Sequence, residues 1–268
     1  MNFQLMLHRL SKSGLICITQ PHHAWLSGQL ARAWGNEQFG EFVPKEEVCL
    51  AAEQHDIGWL QWEQKPTLNP ETGYPYKFTE LPIEVHIDIW SGAKQQAFPW
   101  GRYVTLLVSL HGTGLYERFT SWQNSAKSAQ IVQNYLKIEY AFQKQIIDIL
   151  QKDKYYAPYA IPKVIERNKR LVATWDALSI ILCTGQTGEQ YINQVPVTNG
   201  TTTLKLTLIE DKEYHHTVIL SPWAFEQKEI KLVYEGRMLH QTFNDEIEMQ
   251  KALISDCWVT LSTTLIPS

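Results

Sequence analysis

His55 and Asp56 are adjacent, and the residues around them repeat at helical spacing: Val48, Ala52, His55, Trp59 and Trp62 follow at intervals of four and three. That spacing sets the histidine on an apolar, inward face. The same pattern recurs elsewhere. His23 shares a face with Leu26, Leu30 and Trp34, His86 with Ile83, Trp90 and Ala93, His111 with Val104, Val108 and Leu115, and Asp176 with Val172, Ala173 and Ile180. One such histidine is an ordinary hydrogen-bonded core residue. Five inward ionisable positions on separate helices each need a partner, because an unpaired buried charge costs several kcal/mol. A shared cation satisfies them together, and imidazole with carboxylate suits divalent zinc, manganese, iron or nickel without a thiolate. Such an ion lowers the pKa of its water to about 7, and a pair of ions roughly 3.5–4 Å apart could hold a hydroxide that attacks phosphorus. The chemistry expected is hydrolysis.

The order His23, His55-Asp56, His86, His111, Asp176, with His-Asp-Ile-Gly at 55–58 and Leu-Val-Ala-Thr-Trp-Asp-Ala-Leu at 171–178, resembles the metal-binding pattern of the HD superfamily over residues 20–183. The resemblance implies a helical domain with one or two divalent ions and phosphohydrolase activity. His23, His55, Asp56 and Asp176 would form the first site, and Asp56 would bridge to a second ion on His86 and His111. Asp56, His86 and His111 are then the catalytic candidates. Trp59 stands where HD-GYP phosphodiesterases and myo-inositol oxygenase carry a lysine after His-Asp-x-Gly, which removes one phosphate or hydroxyl contact. Gly73-Tyr74-Pro75 echoes the GYP signature, but it precedes His86 and is a coincidence. The whole chain, with Gln20-Pro21-His22-His23-Ala24 and a β-rich tail, also looks like an uncharacterised bacterial family of unknown function.

Three functions compete. The first is a metal-dependent phosphohydrolase. The second is a diiron oxygenase resembling myo-inositol oxygenase, which shares the four-histidine, two-aspartate arrangement, and the third is a metal-stabilised binding protein without turnover. Arg102, Lys163, Arg167 and Arg170 are candidates to steer phosphate, although residues 163–170 equally suit a solvated helix face. Trp59 is a candidate substrate wall. The loop at 64–81, with Tyr74, Tyr76 and Phe78, is a candidate lid. Glu53 and Gln54 could orient the ligands, and Ala24 together with the helical stripe favours His23 over His22. No G-x-S-x-G elbow occurs. His215 and His216 alternate faces on a strand and so cannot easily share an ion.

Positioning these side chains requires several helices. The apolar period predicts them at 22–34, 44–62, 82–97, 100–117, 122–151 and 159–183, with Pro44, Pro82 and Pro162 near helix starts. Residues 3–19 read as a β-hairpin around Ser11-Lys12-Ser13-Gly14. After Gly185, short β-branched stretches at Thr201–Ile209, His216–Leu220 and Glu229–Tyr234 precede a helix at 244–255 and a strand at Trp258–Leu265. The expected fold is therefore mostly α: an HD-like bundle with its N-terminal hairpin over 1–185, and a small β-rich subdomain over 186–268.

The 268 residues carry a net charge of −4, with 44% hydrophobic and 19% charged residues. Interspersed charge argues against nucleic acid or anionic membrane as partners. The partner expected is a small molecule, phosphorylated in the hydrolase reading, and a homo-oligomer is left open. Cys17, Cys49, Cys183 and Cys257 form no C-x-x-C pair, and no run approaches the length of a membrane span. A cytoplasmic location is the expectation.

Overall fold

The computed structural model describes residues 6–77, 80–185, 188–255 and 257–268, so Phe78 and residues 3–5 of the expected hairpin lie outside the described residues. The chain opens with β1 (Leu7–Ser11) and β2 (Gly14–Ile18), paired antiparallel from Leu7–Ile18 to Ser11–Gly14. Gly14 closes the turn at φ +148°, and a Cβ there would meet the Leu239 carbonyl oxygen at 2.3 Å, so only glycine fits. Helix α1 (Gln20–Ala33) follows, with Thr19 accepting from the His22 N–H and Pro21 in the first turn.

The expected helix at 44–62 is in fact broken. Helix α2 (Lys45–Gln54) ends at His55, Asp56 leaves helical geometry at φ −104°, ψ 20°, residues Ile57–Trp59 form a 3-10 turn, and α3 (Leu60–Gln64) resumes for five residues. The apolar period runs through the break, so periodicity alone could not register it. The turn packs tightly at Gly58, where a Cβ would lie 2.7 Å from the Ile89 carbonyl oxygen and 2.9 Å from the Ala93 Cβ. Backbone cannot yield there as a side-chain tip could. Gly58→Ala is expected to cost about 1–3 kcal/mol through overpacking, read as a lower midpoint in urea unfolding; an unchanged midpoint would show that the turn has room.

Beyond the short pair β3 (Leu68–Asn69) and β4 (Tyr74–Pro75) come α4 (Ile83–Ala97), α5 (Arg102–Arg118), α6 (Ala126–Leu150) and α7 (Pro162–Thr184). Pro44 and Pro82 sit at N-caps and Pro162 in a first turn. Helix α5 is buried almost throughout and packs on α2, α4, α6 and α7, while α1 packs on α2 and α7. Between α4 and α6, Lys94 pairs with the buried Glu139, whose second oxygen accepts from Ser109 on α5 at 2.6 Å.

The remaining elements are β5 (Glu189–Pro196), β6 (Thr201–Lys212), β7 (His215–Ser221), β8 (Ile230–Leu239), α8 (Glu246–Ile254) and β9 (Trp258–Pro267). Here the expected mostly-α bundle with a small β subdomain is overturned. Half of the chain is helical, and one large curled sheet joins seven strands in the order β1-β2-β8-β9-β7-β6-β5. The hairpin does not stand alone, because β2 leaves an edge of backbone donors and acceptors that β8 pairs, Ile16 opposite Met238 and Cys17 opposite Arg237. Such a pairing between distant residues leaves no local trace. Helices α1 and α7 lie against this sheet through β8, β5 and β1, which places their other faces toward α2 and α5. Among the described residues no helix is long and apolar enough to cross a membrane.

Candidate metal centre

Five of the six predicted ligand side chains meet between α1, α5, α7 and the break after α2. His23 comes from α1, His55 from the end of α2, Asp56 from the break, His111 from α5 and Asp176 from α7, and all five are buried. Because the helix stops at His55, two consecutive residues can aim at one point. His23 Nε2 lies 2.7 Å from Asp56 Oδ2 and 4.0 Å from Asp176 Oδ1. His55 Nε2 lies 3.6 Å from Asp56 Oδ2 and 3.4 Å from Asp176 Oδ1, and His111 Nε2 lies 3.9 Å from Asp176 Oδ2. Two ligands each about 2.1 Å from a common ion stand roughly 3.0–3.4 Å apart at cis or tetrahedral angles, which is the range these separations surround. The trios His23, His55, Asp56 and His55, His111, Asp176 each bring their ligand atoms within 4.8 Å of one another.

The proton inventory decides what the centre needs. His55 Nδ1 is 2.7 Å from the Ala52 carbonyl oxygen, which can only accept, so the ring proton sits on Nδ1 and Nε2 presents a bare lone pair. Among the described residues that nitrogen has no hydrogen-bond partner. His23 is held from both sides: its Nε2 hydrogen-bonds Asp56 Oδ2 at 2.7 Å, and its Nδ1 lies 2.7 Å from the Ser179 hydroxyl, which also reaches the Asp176 carbonyl at 2.8 Å. The His55 lone pair and the His23 ring therefore face two carboxylates. In a cation's absence a proton must take its place: burial works against a charged His55, but the Asp56 carboxylate and then Asp176 outweigh it and raise the ring to about 9. Burial likewise opposes ionised Asp56 and Asp176, and the neighbouring imidazoles override it and hold both carboxyls below the usual range. His111 is pulled down to about 3 by burial and by His55, and its Nδ1 has no partner among the described residues. These buried histidine and aspartate groups can hold a metal ion.

His86 is placed differently. Its Nε2 accepts from Trp90 Nε1 at 3.4 Å, its Nδ1 bonds the Tyr116 hydroxyl, and its ring lies 5.4 Å from that of Trp59, so it does not join the five. Burial lowers it to about 4, which keeps it neutral. Trp59 is buried among Trp62, His86 and Trp90. Tyr74 packs edge-on against His8 and joins an apolar cluster with Met6, Phe243 and Met249. The candidate phosphate-steering residues are occupied elsewhere or distant. Arg102 pairs with Asp153 at 2.6 Å, Arg167 donates to the Phe39 and Val197 carbonyls, and Arg170 pairs with Glu166. Lys163 is exposed and, at 1.5 Å per residue, about 20 Å along α7 from Asp176. Glu53 pairs with Arg32, and His22 Nε2 accepts from the Glu235 N–H at 2.7 Å, leaving His23 to face the centre. Sequence reading missed Ser179, which lies three residues after Asp176 on the same helical face; that spacing was its available signal.

Residues 6–241 match a family model described as Protein of unknown function (DUF3891). The chain belongs to this family. The DUF3891 match contains all five converging side chains and ends before α8 and β9. No curated protein and no solved structure matches the chain.

Proposed function

We propose that this DUF3891 protein is a metal-dependent phosphohydrolase of the HD type, with one divalent cation held by His23, His55, Asp56, His111 and Asp176. The observation that carries the reading is the convergence of five buried histidine and aspartate side chains, with the His55 Nε2 lone pair and the His23 ring facing two ionised carboxylates. A divalent ion bound there supplies Lewis acidity that makes water nucleophilic near neutral pH. The carbonyl of Ala52 fixes the His55 tautomer and the hydroxyl of Ser179 holds the His23 ring in place, as outer partners do at metal-binding histidines. Asp56, held ionised, takes a proton from the attacking water. The water oxygen bonds to phosphorus, the ester P–O bond breaks, and that proton passes to the departing alkoxide. Neutral His111 contributes its uncommitted Nδ1 as a hydrogen-bond donor once Nε2 is engaged.

The engagement of both His86 nitrogens by Trp90 and Tyr116 favours one ion over two, and with it the hydrolase over the diiron oxygenase. The test is elemental analysis of protein purified without chelator or nickel resin, followed by a phosphomonoester and phosphodiester panel with and without oxygen. About one equivalent of ion and oxygen-independent phosphate release, lost in Asp56→Asn, are expected. Iron with oxygen-dependent turnover of a polyol would overturn the reading, and bound ion with no turnover on any substrate would leave a metal-stabilised binding protein.

A further inference from the structure

Glu63 is a carboxyl in an unusual place. It lies on the five-residue helix α3, too short to be stable by itself, yet its side chain is buried at 6% exposure. Its Oε1 accepts from the backbone N–H of Gln20 at 2.9 Å, and that N–H, at the first residue of α1, has no partner within the helix. Glu63 Oε2 and the Gln20 side-chain oxygen are both buried without hydrogen-bond partners among the described residues. The charged and titratable groups around it are Arg237 on β8, Asp56 in the break and Cys17 on β2, and burial dominates them in raising Glu63 to about 8. A half-satisfied buried carboxyl weakens the fold, since replacing it by an apolar side chain of similar size removes that desolvation. What it supplies is a tether. Gln20 stands one helical turn before His23, and Glu63 follows Asp56 across the 3-10 turn, so one hydrogen bond joins the two segments whose side chains approach to 2.7 Å at the centre.

We propose that Glu63 is a positioning residue of the metal centre, tying the start of the His23 helix to the segment that carries His55 and Asp56 and so setting the separation of the two halves. This rests on the reading of the five side chains as a cation site. The test is zinc affinity by competition with a chromophoric chelator, in the full chain, for wild type, Glu63→Gln and Glu63→Met. Glu63→Gln keeps an oxygen acceptor for the Gln20 N–H and is expected to bind within about threefold of wild type. Glu63→Met loses the tether and is expected to bind about 10–100-fold more weakly, the range for lost outer partners of metal ligands. The ion-free Glu63→Met protein should melt at pH 9 no lower than wild type, which separates positioning from folding. Equal zinc affinity in Glu63→Met and wild type would overturn the proposal, as would a loss in Glu63→Gln equal to that in Glu63→Met. Absence of zinc binding by the wild type would instead overturn the cation site itself.

Discussion

Asp56→Asn and His55→Ala are expected to leave the protein without bound ion, while His86→Phe and His215→Ala retain about one equivalent. The first replaces a carboxylate by a neutral amide and the second removes an imidazole at the point where His23, His55, Asp56 and Asp176 converge, and the loss in affinity should exceed the roughly hundredfold that an outer partner is worth. His86 is already held by Trp90 and Tyr116, and His215 bonds Ser262 at 2.8 Å, so neither is called on by the ion. Chelation should destabilise the wild type in parallel. An ion present at a thousand times its dissociation constant contributes about 4 kcal/mol, which in a domain of this size is a melting shift of about 10 °C. The comparison of elemental content and melting with and without chelator checks both statements. Full metal occupancy in Asp56→Asn and His55→Ala together would refute the ligand assignment.

The contribution of Glu63 to stability should fall as pH rises from about 5 to 8. Burial raises its carboxyl from 4.5 to about 8 in the folded chain. Below pH 4.5 the group is protonated in folded and unfolded states alike, and its contribution to stability is complete. Between the two values the unfolded chain releases the proton while the folded chain retains it, so each pH unit lowers the unfolding free energy by about 1.4 kcal/mol. Above about 8 the loss levels off, at roughly 4–5 kcal/mol in all. Glu63→Gln has no proton to release there. Urea unfolding of ion-free wild type and Glu63→Gln across pH 5–9 should give curves that diverge by several kcal/mol, the variant being the more stable at the alkaline end. Parallel curves would place the Glu63 carboxyl in contact with water.

The centre was largely legible in the sequence because burial of an ionisable side chain leaves a local signature. His23, His111 and Asp176 stand on apolar stripes of helices that formed close to their expected bounds. His55 and Asp56 were legible as a pair, but the break that lets both face one point was hidden, since the apolar period runs through it and the approach of α4 to Gly58 is encoded by no spacing. His86 has the same stripe as the others and a different fate, because a stripe reports inwardness and not which inward partner wins; Trp90 and Tyr116 won. The cations were misleading for the opposite reason. An arginine in a sequence shows its charge but not the carbonyls of Phe39 and Val197 that Arg167 serves. The sheet was the least visible part: β5 is largely polar and exposed, and the β2–β8 pairing joins distant segments.

The position of β9 sets the order in which this molecule can be assembled. It lies between β8, antiparallel, and β7, parallel, so the strands β1, β2 and β8 on one side and β7, β6 and β5 on the other have no common edge until residues 258–267 are laid down. A ribosome exposing the chain from its N-terminus would release every helix of the ligand cluster well before that closing strand. Completion of the sheet is thus a late, long-range event, of the kind that slows folding, and two open strand edges are left waiting for it throughout synthesis.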